Sequence, residues 1–427
     1  MTSDGQHISK LECTHTIIIK FVALIIFMSA AETQIEKMDS RFKYLLYSRA
    51  FRSIALIYMS LAFSLYLVAL HVSIINIGLV AAATMLFMIF LTLLLGAIGD
   101  RKGYKTELVI AELFAFIGAL IIAISTNVAY IIIGMIIVGL SGGAGGMRGA
   151  FSPGTNAFIA NNYKDEKERV KRYSLVTMVA SAAAIGGSLL FSIVTPLSLY
   201  VGLLNAYRYI FMFSAALLGM SILFLLLLAD AKKPMKTTKV MKASSAKYSL
   251  KVITANSLSG IGMGIFMPLL PLWFKLSYGA EPLEIGVIFS ATYIFTAFGS
   301  YLSSRFAHRF NPLNIASYTR VLSGLLLLAM ALSPVLIIAG IIYVLRAVIA
   351  GFGSPSRTTV NVRGVAAEDY GTATSLQGVA SRVAQLSSGA SGYLMDYALP
   401  LPLLVGGIFQ FASGISYKLL FKGRDEK

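Results

Sequence analysis

Long apolar runs separated by short polar segments dominate this chain. Twelve such runs of about twenty residues follow residue 50, and a helix of that length crosses the hydrocarbon core of a bilayer. The pattern therefore predicts an all-α integral membrane protein with twelve transmembrane helices. The predicted helices are 52–72, 75–97, 106–125, a helix starting near 128, 173–196, 207–229, 250–274, 283–304, 312–332, 335–353, 371–394 and 400–420.

A polar segment divides these helices into two sets of six. Asp230 to Lys251 contains seven lysines and Pro234, a composition typical of a flexible linker. The predicted organisation is an N-terminal extension at 1–37, a six-helix bundle at 38–229, a cytoplasmic linker at 230–249, a second six-helix bundle at 250–421 and a tail at 422–427.

The first 37 residues do not fit this pattern. The apolar run from Ile17 to Ala31 is short for a span, and Lys20 interrupts it. Met38 then opens a stretch that resembles an ordinary cytoplasmic start. Two interpretations stay open: an extension or misassigned start, and an interfacial helix.

The composition supports a membrane protein and affects how the positive net charge is interpreted. Charged residues make up 13% of the chain and hydrophobic residues 57%, whereas a soluble domain averages about 25% charged residues. The net charge of +17 could indicate a nucleic-acid partner, but the cations cluster in alternate loops. Because cytoplasmic loops are enriched in Lys and Arg, we expect no nucleic acid, a plasma-membrane location and two cytoplasmic termini.

Residues suited to catalysis or metal binding are few. Cys13 is the single cysteine and excludes an intramolecular disulfide. The four histidines are scattered, and no nucleophile, phosphate-loop or metal motif occurs. The sequence therefore predicts neither an enzyme nor a cofactor.

A turn between predicted helices two and three concentrates glycine and charge. Residues 96–106 read Gly-Ala-Ile-Gly-Asp-Arg-Lys-Gly-Tyr-Lys-Thr, and Asp100 is placed to accept hydrogen bonds at a helix N-terminus. The pattern resembles the signature of the major facilitator superfamily between helices two and three. The matching residues are Gly96, Asp100, Arg101, Gly103 and Lys105.

The second half repeats features of the first. Ser300–Arg309 follows helix eight as the Gly96 turn follows helix two, with Arg305 matching Arg101 and Ser304 replacing Asp100. Internal repeats are typical of transporters with a midplane site. The resemblance therefore extends over the chain from about residue 40. It implies two pseudo-symmetric six-helix bundles around a central cavity lined by helices one, four, seven and ten.

The resemblance also implies a conformational latch between the two bundles on the cytoplasmic side. Asp100 would dock on the start of helix eleven in the outward-facing state and release in the inward-facing state. The expected latch residues are Gly96, Asp100, Arg101, Gly103, Lys105, Arg305 and Arg309.

Ionisable residues at membrane depth are candidate functional groups because their burial is costly. Arg346 lies near the middle of helix ten and could bind a carboxylate or phosphate, or it could contact backbone carbonyls. Arg382, with Gln385 one turn later, could join it or bridge helices.

Glu112 is a candidate for proton coupling. A structural partnership with a cytoplasmic-side cation such as Arg148 is the favoured alternative. Asn256 and Trp273 in helix seven are candidate ligand contacts, or else an interhelical hydrogen bond and an interfacial anchor. Two prolines, Pro268 and Pro271, predict a kink near the outer end of that helix.

These features favour a secondary transporter of a small organic solute, working as a monomer by alternating access. Helix seven resembles that of drug- and sugar-efflux branches, so the first expectation is efflux of drug-like or amphipathic compounds. The alternative is an organic anion transporter that uses Arg346 and Arg382. A non-transporting sensor or assembly factor with the same fold is the alternative of another class.

Overall fold

A computed structural model describes residues 40–140, 151–163, 166–228, 241–306, 310–366 and 369–421. Over these ranges the chain is helical, with no strand. The predicted extension and tail, Arg148, Arg309 and the side chain of Asp100 lie outside this description.

The helices of the first half are α1 Ser40–Ala69, α2 Ile74–Lys102, α3 Tyr104–Ile124, α4 Val128–Val138, α5 Phe151–Asn162, α6 Glu166–Ser192, α7 Val194–Val201 and α8 Leu203–Leu226. Those of the second half are α9 Ala243–Phe266, α10 Leu270–Tyr278, α11 Pro282–Phe306, α12 Pro312–Ala331, α13 Leu336–Val362, α14 Tyr370–Ala384, α15 Ser388–Tyr397 and α16 Leu401–Phe421.

The all-helical membrane architecture is confirmed. Within the described residues, nine helices are long and apolar enough to cross a membrane, and ten if α9 and α10 form one bent span. Predicted helix four corresponds in part to α4, which has only 11 residues. Predicted helix eleven is divided into α14 and α15 by a 3₁₀ turn at Gln385–Ser387. The count of twelve spans therefore stays a prediction.

Several predicted boundaries differ from the structure, among them those of helices one, seven and ten. Helix one begins at Ser40 rather than at 52, and helix ten continues past Pro355 to Val362 rather than ending at 353. Helix seven begins at Ala243 and includes the last seven residues of the predicted linker. Charged residues ended the apolar runs of helices one and seven, and Ser354 and Pro355 ended that of helix ten. Lys and Arg are good helix formers, so a loss of hydropathy does not mark the end of a helix.

The predicted kink in helix seven is confirmed. The axes of α9 and α10 differ by 45°, and Pro268 lies in the break between them while Pro271 lies in the first turn of α10. Proline lacks a backbone N–H and clashes with the preceding turn, which accounts for the bend.

We call the side with the helix ends at 102–104, 226–243 and 306–312 the linker face, and the side with the connections 70–73, 279–281 and 398–400 the opposite face. Helices α2 and α15 approach closely near the opposite face. An added Cβ at Gly78 would lie 2.6 Å from the backbone nitrogen of Gly392. Toward the linker face, an added Cβ at Gly96 or Gly378 would meet nothing within 4 Å.

A second pair of helices, α6 and α11, joins the bundles near the same face. The N–H of Leu283 donates a hydrogen bond of 3.1 Å to Thr195 Oγ1, and Gly286 lies against Ser188 and Ser192. Together with the open space at Gly96 and Gly378, these contacts indicate that the described parts of the bundles pack more closely near the opposite face than toward the linker face.

Helix α1 is the most enclosed of the candidate spans. Of its most apolar stretch, 83% is buried, against 33–50% for the other unbroken candidate spans. It nevertheless carries Arg49 and Arg52, each 3% exposed. Arg52 forms an ion pair with Glu112 of α3, which is fully buried. A buried pair of this kind holds two helices in one register, since either charge alone would be costly.

The substitution Glu112→Gln should lower the free energy of unfolding by about 3–5 kcal/mol, because it leaves buried cations without their carboxylate. Thermal unfolding of the detergent-purified protein measures this. The double variant Arg52→Met/Glu112→Met should be more stable than either single variant.

Glu284→Gln is the matched control, since the exposed Glu284 accepts one hydrogen bond from the N–H of Glu281 and should contribute about 1 kcal/mol or less. An unchanged melting temperature of Glu112→Gln, together with a loss of proton-driven transport, would instead identify Glu112 as a proton carrier.

Substitution of Gly78 should open the contact between the bundles. In Gly78→Ala the new Cβ meets backbone of α15, which cannot yield as a flexible side chain can. We expect a longer distance between spin labels at Thr126 and Glu281, two exposed residues of the opposite face, in a Cys13→Ser background. Gly378→Ala, which meets nothing, is the control, and identical distance distributions in the two variants would contradict the interpretation.

Candidate functional site

Arg346 lies at the middle of α13, ten residues after its start. At 1.5 Å per residue this is about 15 Å along the helix, near the centre of a hydrocarbon core about 30 Å thick. The side chain is only 9% exposed, and its Nε is buried without a hydrogen-bond partner. Position and burial therefore make Arg346 a costly cation at membrane depth.

Aromatic rings are the contacts of this guanidinium. Its carbon Cζ lies 5.1 Å from the centroid of Phe266 and 5.9 Å from that of Tyr343. Among the described residues, Arg346 makes no hydrogen bond and no ion pair. Cation–π attraction holds the group in place without neutralising its charge, so the site retains capacity for an anion.

The bend of helix seven lies directly beside Arg346. Phe266 is the last residue of α9, immediately before the break. Tyr343 packs on Phe274 and Phe289, at centroid distances of 6.2 and 5.4 Å. The candidate site is therefore a cation walled by aromatic rings from helices seven, eight and ten.

Arg382 and Gln385, the other predicted substrate residues of the second bundle, have different partners. Arg382 donates a hydrogen bond to Thr92 Oγ1 of α2, so it bridges the two bundles. Gln385 donates to the carbonyl of Ser381 at 3.1 Å. No described contact joins either residue to Arg346, so the pairing of the two arginines stays a prediction.

Asn256 belongs to a polar network inside the second bundle. Its Oδ1 accepts hydrogen bonds of 2.8 Å from Arg320 Nη2 and from the hydroxyl of Tyr417. That hydroxyl also contacts Asn361 Oδ1 at 2.7 Å, and Arg320 Nη1 donates to Ser413 at 2.6 Å. These contacts match the interhelical hydrogen bonding considered for Asn256. Arg320 was not among the residues predicted from the sequence, although a cation inside the apolar run 312–332 is a visible signal.

Trp273 is buried. It is 1% exposed and packs at 5.2 Å on both Phe274 and Tyr278. Its ring lies in the core near the opposite face, and its role as a ligand contact stays a prediction.

The predicted latch residues form a tight turn on the linker face. Gly103 has a φ of 98°, which favours glycine, and its N–H donates to the carbonyl of Gly99. Lys105 Nζ donates a 2.9 Å hydrogen bond to the carbonyl of Leu226, at the C-terminus of α8, where the helix dipole favours a cation. Arg305 contacts the hydroxyl of Tyr301 at 3.4 Å.

Equivalent helices of the two halves carry a buried polar contact at the same level. Glu112 lies eight residues after the start of α3, and Arg320 lies eight residues after the start of α12. Glu112 contacts helix one through Arg52, whereas Arg320 contacts helix seven through Asn256. This correspondence places the third helix of each half against the first in the same way and supports the internal repeat.

Comparisons with known structures agree with this architecture. The structure resembles an auto-inhibited POT family peptide transporter with a TM-score of 0.73 and 11% identity, over 90% of this chain and 97% of that one. It resembles a D-xylose–proton symporter with a TM-score of 0.67 and 16% identity, over 92% and 97%. A nucleoside transporter matches with a TM-score of 0.67 and 14% identity, over 90% and 100%. At these identities the likeness concerns the fold.

No curated protein sequence matches the chain. A family model, described as Major Facilitator Superfamily, matches residues 45–389, which include the glycine-rich turn at 96–106 and the candidate site around Arg346. The chain therefore belongs to the Major Facilitator Superfamily of membrane transporters.

Proposed function

We propose that the protein is a secondary active transporter that moves a small organic anion by alternating access. The observation that carries this proposal is Arg346, a buried guanidinium at membrane depth that is surrounded by aromatic rings and has no ion pair among the described residues. A carboxylate would supply the missing charge and accept two parallel hydrogen bonds from the guanidinium.

The cost of burial favours a functional role for this arginine. A cation at the centre of a bilayer costs several kcal/mol, and cation–π contacts offset about 2 kcal/mol of it. The first bundle shows the other solution, an ion pair between Arg52 and Glu112. Because Arg346 lacks such a partner, we infer that its counter-ion is the substrate.

Proton coupling through Glu112 has less support than a structural role. One oxygen of its carboxylate is paired with Arg52, and the residue is fully buried between α1 and α3. We therefore propose that Glu112 stabilises the first bundle.

We also propose the orientation and setting of the transporter. The linker face carries Arg101, Lys102 and Lys105 as well as the lysine-rich linker, so the positive-inside rule places this face in the cytoplasm. The bundles separate toward that face, which corresponds to an inward-facing conformation. A monomer with twelve spans and cytoplasmic termini in the plasma membrane fits these features.

Efflux of amphipathic compounds is the second candidate function. The aromatic walls at Phe266, Phe289 and Tyr343 suit an apolar, flat solute whether or not it is charged. The direction of transport would then be outward. Binding to neutral or cationic amphiphiles that does not depend on Arg346 distinguishes this function from the first.

The substitution Arg346→Ala should abolish stabilisation by organic anions. A ligand that binds the folded state raises the melting temperature by mass action, so a thermal-shift panel of anionic, cationic and neutral solutes measures the effect on detergent-purified protein. Arg208→Ala is the control, since the one contact of Arg208 among the described residues is the hydroxyl of Tyr66 at 3.4 Å. The anion proposal would be contradicted if anions raised the melting temperature of neither wild type nor Arg208→Ala, while neutral or cationic solutes raised it equally in Arg346→Ala and Arg208→Ala. That result would favour efflux.

Asp100→Asn should slow transport far more than it weakens ligand binding, because a latch acts on the change of conformation rather than on the site. Turnover in proteoliposomes and the thermal shift at saturating ligand separate the two quantities. Asp396→Asn, at an exposed position of α15, is the matched control. A turnover of Asp100→Asn equal to that of the control would remove the latch from the proposal.

A further inference from the structure

A second polar group without a partner lies beside the candidate site. Tyr293 belongs to α11, and its ring is half-buried while its hydroxyl is enclosed. Among the described residues this hydroxyl has no hydrogen-bond partner. A buried hydroxyl without a partner costs about 1–3 kcal/mol, so its presence at this position calls for an explanation.

The packing of helices eight and ten places Tyr293 at the level of Arg346. Phe289 of α11 contacts Tyr343 of α13. Two turns further along α11, the carbonyl of Thr296 lies against Gly351. Because the two helices run in the same direction between these contacts, Tyr293 lies beside the segment of α13 that contains Arg346.

The two orphaned groups flank one aromatic ring. The ring of Tyr343 lies 5.9 Å from the guanidinium of Arg346 and packs on Phe289, which is one turn before Tyr293 in α11. The site thus offers a cation with several N–H donors, one O–H donor and flat apolar walls. Such a combination fits the head and the body of an amphipathic acid.

We propose that Tyr293 and Arg346 together bind the carboxylate of a small aromatic or similarly flat monoacid. The guanidinium takes the carboxylate through two N–H groups, and the hydroxyl of Tyr293 donates to one carboxylate oxygen. The apolar body of the ligand packs on Phe266 and Tyr343. This inference rests on the proposed transport of an organic anion and narrows it to a substrate class.

The charge of the site selects a carboxylate over a phosphate. A single guanidinium neutralises one negative charge, whereas a phosphate monoester carries between −1.5 and −2 at neutral pH. A dianion in this setting would retain an uncompensated charge at membrane depth, which is costly. A monocarboxylate leaves the site neutral.

The two groups are enclosed in this conformation, so binding requires the surrounding side chains to move apart. Phe266 lies at the end of α9, next to the 45° break of helix seven. Motion at this break moves the ring that covers Arg346. The site would therefore open by movement of helix seven at its proline-containing break.

The experiment compares wild type, Tyr293→Phe, Arg346→Gln and Tyr318→Phe as full-length purified proteins. Tyr318 is 55% exposed and its hydroxyl contacts Lys418, so its variant controls for loss of a phenol. Thermal shifts are titrated with benzoate, with neutral benzamide and with phenyl phosphate.

We expect benzoate to stabilise wild type and Tyr318→Phe equally and to leave Arg346→Gln unchanged. In Tyr293→Phe the apparent affinity for benzoate should fall about ten- to a hundredfold, the loss expected for one hydrogen bond to a charged group. Benzamide should bind weakly and to the same extent in wild type and Tyr293→Phe. Phenyl phosphate should bind less tightly than benzoate.

The empty proteins supply a second readout. Because the hydroxyl of Tyr293 has no partner without ligand, its removal should leave the melting temperature of the empty protein equal or raised. A marked fall in that temperature would show that the hydroxyl is structural and would overturn the inference.

Three other outcomes also overturn it. Wild-type affinity for benzoate in Tyr293→Phe, with no binding in Arg346→Gln, would refute the role of Tyr293 and leave the proposed function intact. Tighter binding of phenyl phosphate than of benzoate would refute the substrate class. If neither benzoate nor any other anion of the panel stabilises wild type, both the inference and the proposed anion transport fail.

Discussion

Charge at membrane depth is the constraint on which this structure depends. Each cation inside an apolar bundle needs an opposite charge or several acceptors, since the surrounding medium supplies neither. Arg52 meets this need inside the protein through Glu112, and Arg320 does so through Asn256 and Ser413. Among the described residues Arg346 contacts only aromatic faces, and this difference is the physical basis for proposing it as a ligand site.

Glycine sets the second constraint, which concerns motion. Near the opposite face, Gly78 and Gly392 let two helices from different bundles meet backbone to backbone. Such contacts carry little side-chain interlocking, which suits the proposed alternating-access motion of the two bundles. The bend of helix seven lies in the same half of the molecule, beside the aromatic rings that cover Arg346. The proposed binding site thus lies beside the bend of helix seven, whereas the contact between the bundles lies on α2 and α15.

The two halves share the positions of their buried polar contacts more than the types of residue that form them. Glu112 and Arg320 occupy the same level of corresponding helices and each reaches the first helix of its half, although one is an acid and the other a base. The linker-face turn of the first half is rich in glycine and charge, whereas Ser304 replaces Asp100 in the second. Equivalent positions in the two halves therefore both form a polar interhelical contact, but with side chains of different charge.

The sequence by itself determined the all-helical membrane fold, the family turn at Gly96 and the kink at Pro268, because apolar length, glycine spacing and proline act locally. It also marked Arg346, since a charge within an apolar run is visible without a structure. It could not give the true start of helix one, the partner of Glu112 or the orphaned hydroxyl of Tyr293. Those depend on which faces meet between helices distant in sequence, and only tertiary packing decides that.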